Sequence, residues 1–288
     1  MKILKPLFWD KKNLLSFLLY PLTFITLLVI LIKKFSTKKK FGLKTICIGN
    51  IYLGGTGKTS LSIAINKILN KKYKTVFIKK NYKKHMDEKI LLKSYGKLIF
   101  NKQREVGLKI AQKNNFEVGI IDDGLQEKKI VYDISIVCFN SSAGIGNGFL
   151  LPAGPLRESI LAIQNYDAVF LNGEKKNYKL KLYLKNINSK IYIFEGRYVA
   201  TNLKKFNIKK NYIAFSGLGN PEEFERTLKK YKFKIKQKYI FPDHYKYNDS
   251  EIIKLKNIAK KKNLKIIIKK NKIKSLNKKK KKNIKYIK

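Results

Sequence analysis

Arginine is almost missing from this chain. Only Arg104, Arg157, Arg197 and Arg226 break a run of lysines; 65 basic residues face 19 acids, for a formal net charge of +46 over 288 residues. So basic a balance usually points to nucleic acid or an anionic membrane. Here the excess is lysine, accompanied by abundant Asn, Ile and Tyr, which is the composition expected of a genome poor in G and C. No arginine-rich stripe, zinc-finger spacing or RNA-binding aromatic motif is present, so a nucleic-acid partner is not expected. Cysteine is scarce too. Cys47 and Cys138 each sit in an apolar, strand-like run, which excludes a disulfide framework and fits buried thiols in a reducing compartment. There are only two histidines, His85 and His244, so few residues are available for proton transfer near neutral pH. The 44% hydrophobic content and the length suffice for one large or two modest α/β domains.

Leu14 to Ile32 is uncharged and apolar, close to the roughly 20 residues that span a bilayer core. Lys11 and Lys12 precede it; Lys33, Lys34 and Lys38 to Lys40 follow it. The denser charge after the run predicts a cytoplasmic location for the remainder. No small-residue cleavage site follows, which argues against a signal peptide. Pro21, Ser16, Thr23 and Thr26 interrupt the run, so a segment lying in one leaflet is the alternative to full spanning.

From Thr45 the pattern becomes α/β. Strands are expected at Thr45 to Gly49, Thr75 to Ile78, Val118 to Ile121, Ile134 to Phe139 and Ala168 to Leu171, with a helix over Ser60 to Asn70. Their alternation predicts a mostly parallel sheet with helices on both faces. Further strands are read at Ile191 to Phe194, Tyr212 to Phe215 and Leu264 to Ile268. Helices are read from the Asn220-Pro221-Glu222-Glu223 start and from Asp249 to Lys260. The last residues, with Lys278 to Lys282, lack a core-forming pattern and read as a basic tail.

Gly49-Asn50-Ile51-Tyr52-Leu53-Gly54-Gly55-Thr56-Gly57-Lys58-Thr59 joins a strand to a helix, the context a phosphate loop needs. Backbone N–H groups from Tyr52 to Thr59 can converge on phosphate oxygens, helped by the partial positive charge of the helix N-terminus. Lys58 is expected to bridge β- and γ-phosphates, and the Thr59 hydroxyl to ligate Mg²⁺. The strict motif has Gly where Tyr52 stands, so the loop is a variant. Leu53 occupies the place where membrane-associated partitioning ATPases carry a lysine, which argues against that class.

Val118 to Ile121 runs into Asp122 and Asp123, and the carboxyl ends of parallel strands line the ligand crevice. Either carboxylate could hold Mg²⁺ or its waters. Gly144 to Glu158 is a second Gly- and Pro-rich segment, followed by an expected helix over Leu156 to Tyr166. An arginine kept at position 157 in a lysine-rich chain suggests a need for its flat, bidentate geometry on phosphate or carboxylate; a salt bridge with Glu158 at a helix start is the competing reading.

The ordered segments GNIYLGGTGKT, DDGLQ, GNGFLLPAGPLRE and FPDHY, with the N-terminal apolar stretch, closely resemble the tetraacyldisaccharide 4'-kinase family of Gram-negative bacteria. The resemblance implies a P-loop NTPase-like, mostly parallel α/β core with a smaller C-terminal α/β domain and an N-terminal membrane helix. It implies transfer of the γ-phosphate of ATP, with Mg²⁺, to the 4'-hydroxyl of a lipid A disaccharide 1-phosphate precursor at the cytoplasmic face of the inner membrane. No protein partner is implied. By the same resemblance His244 matches the catalytic histidine, Asp87 the aspartate paired with it, Asp122 and Asp123 the acids near Mg²⁺, and Arg157 and Glu158 the pair near the nucleotide. The physical logic agrees, since a sugar hydroxyl needs a base and a carboxylate behind a His orients its ring. Lys79-Lys80-Asn81-Tyr82-Lys83 stands where the family has a Ser-Arg-Gly-Tyr-Gly-like run, and Ile267-Ile268-Lys269-Lys270-Asn271 where it often has Thr-Thr-Glu-Lys-Asp.

The expected organisation is a membrane-associated segment over 1–40, a P-loop kinase core over 41–205 and a smaller α/β domain with a basic tail over 206–288. The alternatives are a membrane-bound P-loop ATPase without a lipid acceptor and a basic, non-enzymatic module.

Overall fold

The computed structural model describes residues 5–81, 86–216, 221–241, 248–269 and 284–287. The chain divides into two compact units. The larger comprises Lys5–Tyr82 and Leu92–Arg197; the smaller is made of Lys83–Leu91 and Tyr198–Lys288.

In the larger unit the apolar N-terminal run folds as two short helices, α1 (Leu14–Leu18) and α2 (Thr23–Lys34), separated by a 3-10 turn at Tyr20–Leu22 that carries Pro21. This corrects the expected single membrane helix. Proline lacks an N–H and its ring clashes with the preceding turn, so the run breaks there. Among the described residues no helix is long and apolar enough to cross a membrane; α2, at 12 residues, reaches about 18 Å against a hydrocarbon core of about 30 Å.

The polar residues of this run face inward and the apolar ones outward. Ser16 and Thr23 are buried, and the Thr26 hydroxyl donates to the Leu151 carbonyl at 2.7 Å. Phe17 and Tyr20 meet Phe149 edge-on, and Trp9 Nε1 donates to the Pro152 carbonyl at 3.0 Å. Leu14, Leu18, Phe24, Ile25, Leu28 and Ile32 are exposed.

The core then alternates β1 (Lys44–Gly49), α3 (Lys58–Leu69), β2 (Thr75–Lys80), α4 (Met86–Lys93), β3 (Leu98–Asn101), α5 (Arg104–Lys113), β4 (Val118–Asp122), β5 (Ile134–Asn140), β6 (Ala168–Asn172), α6 (Tyr178–Ile187) and β7 (Tyr192–Gly196). Seven strands make one sheet in the order β3-β2-β4-β1-β5-β6-β7, every pairing parallel. Every residue of β4 is buried, as expected of a strand covered on both faces. The core under the sheet is Ile78, Leu108, Ile121, Val137, Phe139, Leu156, Val169 and their neighbours. The helix expected over Leu156 to Tyr166 is instead a 3-10 stretch, Ile160–Asn165, with Ser159 at its N-cap.

The smaller unit holds β8 (Asn211–Ser216), α7 (Pro221–Lys230), β9 (Lys234–Ile240), α8 (Asp249–Lys261), β10 (Lys265–Lys269) and β11 (Ile284–Ile287) in a second parallel sheet, β11-β10-β8-β9. An Asn248–Glu251 capping box starts α8. The tail was expected to carry no core pattern, yet Ile284 and Ile287 are buried beside β10. Two isoleucines three apart form too short a signal to read within so many lysines. Lys278 to Lys282 lie outside the described residues.

Candidate functional site

The sheet order places β1 between β4 and β5, where the chain winds away in both directions. That is the point at which open α/β sheets hold ligands beyond the carboxyl ends of their strands. The loop from Gly49 leaves β1 here and enters α3. Gly57 takes the N-cap with φ +89°, a left-handed conformation that favours glycine, and no side chain caps the helix. The first-turn amides are therefore presented at the crevice, the usual arrangement for an anion.

Tyr52 has a structural explanation. The first half of the loop runs beside the segment Pro155 to Arg157: the Leu53 N–H donates to the Pro155 carbonyl at 2.8 Å, the Arg157 N–H donates to the Ile51 carbonyl at 2.7 Å, and Tyr52 bridges Leu156. Its buried ring anchors the loop where the strict motif would have an unanchored glycine. Asn50 braces the turn from inside. Its Nδ2 donates to the carbonyls of Tyr52 and Gly54 at 2.5 and 3.2 Å, and its Oδ1 accepts from Arg157 Nη1 at 2.9 Å. Thr56 is buried, and its hydroxyl has no hydrogen-bond partner among the described residues; a polar atom so placed is suited to a ligand. Leu53 and Gly55 are exposed, while Gly54 and Gly57 to Thr59 are half-buried.

Asp122, 0% exposed at the end of β4, accepts from three side chains. The Thr59 hydroxyl donates to its Oδ2 at 3.2 Å, the Ser62 hydroxyl to its Oδ1 at 3.1 Å, and Lys79 Nζ to its Oδ2 at 2.6 Å. Asp123 takes a left-handed backbone, φ +61°, which Asp tolerates better than most residues. Its carboxylate accepts from Arg157 Nη1 at 3.0 Å. Its carbonyl accepts from the Arg104 guanidinium, and its N–H donates to the Ile48 carbonyl at 2.7 Å. Burial raises the Asp123 pKa, but Lys58, Arg157 and Lys79 together outweigh it and bring the group down to about 2. Gly124 must be glycine here, since a Cβ would lie 2.5 Å from the Ile121 side chain and 2.8 Å from Cys47 Sγ.

The two members of the Arg157–Glu158 pair face different surroundings. Arg157 reaches the loop and the acidic pair. Glu158, 3% exposed, accepts from Gln126 Nε2 at 3.1 Å, Lys128 Nζ at 2.8 Å and the Tyr166 hydroxyl at 3.0 Å. Gln126 Nε2 also donates to the Asn50 carbonyl at 3.0 Å, so Glu158 steadies the loop from behind. The Glu158 carboxylate, expected near the nucleotide, is thus engaged by these three side chains. The competing salt bridge between Arg157 and Glu158 is absent from the ion pairs of the described residues, where Arg157 pairs with Asp123 and Glu158 with Lys128.

Asp87 stands with Glu88 in the first turn of α4, in the part of that helix grouped with the smaller unit. His244 lies outside the described residues. The structure thus brings together Tyr52 to Thr59, Asp122, Asp123 and Arg157, and adds Asn50, Ser62, Lys79 and Gln126. Ser62 was legible, lying three residues after Thr59 on the same helical face. Lys79 gave no sign, being one of many lysines.

A divalent ion fits this donor set. Thr59 and the two aspartates offer oxygen only, the chemistry Mg²⁺ prefers. Among the described residues no group of three or more His, Cys, Asp or Glu could hold a metal. An ion here would therefore take its other ligands from nucleotide phosphates and water, as Mg²⁺ commonly does.

Comparison with known proteins gives a consistent answer. The family model described as Tetraacyldisaccharide-1-P 4'-kinase matches residues 15–288. The chain is 46% identical over 274 residues to a tetraacyldisaccharide 4'-kinase of Pelagibacter ubique, covering 93% of this chain and 86% of that protein. It is 34% identical over 282 residues to one of Rickettsia canadensis, covering 91% and 85%. The crystal structure of LpxK from Aquifex aeolicus in complex with ATP superposes with a TM-score of 0.69 at 22% identity, covering 96% of this chain and 94% of that one, and so shares its fold. This chain belongs to the tetraacyldisaccharide-1-P 4'-kinase family.

Proposed function

We propose that this protein transfers the γ-phosphate of ATP to the 4'-hydroxyl of a lipid A disaccharide 1-phosphate precursor. Family membership supports the reaction. The observation that carries the reading is the Thr59–Asp122 hydrogen bond, which joins the phosphate loop after β1 to the acidic end of neighbouring β4. This is the layout of P-loop phosphoryl transfer.

In this reading the amides from Gly54 to Thr59 cradle the β- and γ-phosphates, and Lys58 neutralises charge that builds on the equatorial oxygens. Arg157 holds Asp123 and Asn50, keeping the loop shaped for the nucleotide. Thr59, Asp122 and Asp123 would hold Mg²⁺, directly or through water. Mg²⁺ held there would supply charge neutralisation for the transferred phosphoryl group. His244, with Asp87 behind it, takes the proton of the attacking hydroxyl.

The exposed leucines, isoleucines and phenylalanines of α1 and α2 suit a helix pair embedded in one leaflet, with its polar residues turned toward protein. The flanking lysines then lie at an anionic surface, on the cytoplasmic face of a bacterial inner membrane.

The test is transfer of labelled γ-phosphate from ATP to a lipid A disaccharide 1-phosphate in detergent micelles. Transfer is expected, with ATP hydrolysis low in the absence of acceptor. Folded protein that hydrolyses ATP equally with and without acceptor, and labels none of it, would replace this reading with that of an ATPase. His244→Ala is expected to slow transfer at least a hundredfold while leaving ATP affinity within about twofold.

A further inference from the structure

The acidic pair beside the phosphate loop carries its own counter-ions. Lys79 Nζ lies 2.6 Å from Asp122 Oδ2, and Arg157 Nη1 lies 3.0 Å from Asp123 Oδ1. Lys58, the first residue of α3, acts on Asp123 together with Arg157 and Lys79. Two carboxylates thus face three cations before any ligand arrives.

Lys79 is the unusual member. In a chain crowded with lysines it is the one buried lysine among the described residues. Burying an ammonium is costly unless a partner repays it, and here the partner is an acid expected to serve a metal. Lys79 Nζ and the Thr59 hydroxyl both donate to Asp122 Oδ2, while the Ser62 hydroxyl donates to Oδ1. The ammonium therefore stands on the same oxygen that faces the Thr59 hydroxyl, the pair through which a divalent ion would be held. A carboxylate whose charge is already met attracts such an ion weakly. Repulsion between a single and a double positive charge about 4 Å apart is worth roughly thirtyfold in binding even at the dielectric of water. This pair is out of water, with Lys79 3% and Asp122 0% exposed.

We propose that Lys79 sets the order in which the metal enters: its ammonium holds the place of a divalent cation at Asp122, so the site admits one only together with nucleotide phosphates. The phosphates bring the negative charge that lets metal and ammonium share one carboxylate. Lys79 is a positioning residue on this account. It acts through Asp122, keeping that carboxylate on the Thr59 hydroxyl while no metal is present. The inference rests on the kinase reading only for the nucleotide that carries the metal.

The test uses the full chain and Mn²⁺, which shares the oxygen preference of Mg²⁺ and gives a spin-resonance signal when free. Wild type, Lys79→Met and the control Lys109→Met are titrated without nucleotide. Lys109 is exposed on α5, and its loss changes the net charge equally. At about 1 mM Mn²⁺, wild type and Lys109→Met are expected to bind none at Asp122. Lys79→Met is expected to gain a site at least about thirtyfold tighter, which Asp122→Asn added to it removes. A merely damaged site would lose metal rather than gain it. Nucleotide affinity gives the second readout. Metal-free ATP, in EDTA, should bind about tenfold more weakly to Lys79→Met than to wild type, whereas ATP with Mn²⁺ binds no more weakly. No gain of Mn²⁺ in Lys79→Met, an equal gain in Lys109→Met, or equal losses for both forms of ATP overturn the inference. If Lys79→Met does not fold, wild type decides. Mn²⁺ bound only once ATP is added supports the inference; Mn²⁺ bound without ATP, and lost in Asp122→Asn, overturns it. Wild-type protein that treats Mn²⁺ as expected yet transfers no phosphate would sink the kinase reading and leave the role of Lys79 standing.

Discussion

Replacing Lys79 with methionine isolates the most buried charge pair of the site. Lys79 is 3% exposed and Asp122 0%, and their charged atoms are 2.6 Å apart. Methionine keeps the length of the side chain and removes its charge, so the chief effect is an ionised Asp122 without its counter-ion. Removing one partner of a buried pair costs about 3–5 kcal/mol. The hydroxyls of Thr59 and Ser62 still donate to Asp122 at 3.2 and 3.1 Å, which favours the low end, about 3 kcal/mol. For a unit of this size that lowers Tm by about 6–12 °C. Asp122→Asn alone also destabilises, because it leaves an ammonium buried. Losing both charges together is less costly than the two single losses added, since no uncompensated ion remains. Urea unfolding of the two single variants and the double completes the cycle. Mg²⁺ with ATP should restore more stability to Lys79→Met than to wild type, because a cation beside Asp122 replaces the missing ammonium. A loss below about 1 kcal/mol in Lys79→Met, or strict additivity in the double variant, would refute the reasoning.

Asp123 predicts an acid transition. Its folded pKa, about 2, lies below its ordinary value of 3.8, so the folded state binds fewer protons and stability rises with pH between these values. About 2 kcal/mol should be present above pH 4 and lost as pH falls through 2, and Arg157→Ala should shrink that window in an acid-unfolding titration. Tyr52→Gly, which restores the strict loop motif, should weaken rather than improve ATP binding and cost about 3–5 kcal/mol in thermal unfolding, since a buried ring is lost. Improved affinity would show that the anchoring by Leu156 is unimportant. Burial pushes the Cys47 thiol up to about 12, with Arg104 opposing it, so native protein should resist a thiolate-directed reagent at pH 8 and react only on unfolding; rapid labelling of folded protein at Cys47 would contradict its placement under Gly124.

Much of the sheet was legible because its central strands are continuous apolar runs. β1 and β4 are buried on both faces, and the expected limits fall within a residue or so of those observed. β3 and α6 were not read. The residues of β3 are only partly buried at the sheet edge, and α6 spaces its leucines among lysines. The N-terminal run misled for a different reason. Hydropathy counts apolar residues without asking which way they face, and here the polar few hold the protein while the apolar majority face out. In the site, Arg157 stood out because arginine is rare. By the same argument Arg104 should have, but it follows no recognisable motif.

What sequence alone determined is the chemistry of consecutive residues. A phosphate loop works through neighbouring backbone amides and the start of one helix, so Gly54 to Thr59 carry their meaning locally. Tertiary structure decided everything that depends on distant residues meeting. Lys79 and Asp122 are 43 positions apart, Arg157 and Asp123 34, and Arg157 and Asn50 107. These contacts exist only because parallel pairing brings the carboxyl ends of β1, β2 and β4 side by side, an arrangement set by sheet order rather than by any single segment. The burial that makes those charges strong, and that left Arg104 with an unpaired nitrogen, is likewise a property of the packed whole.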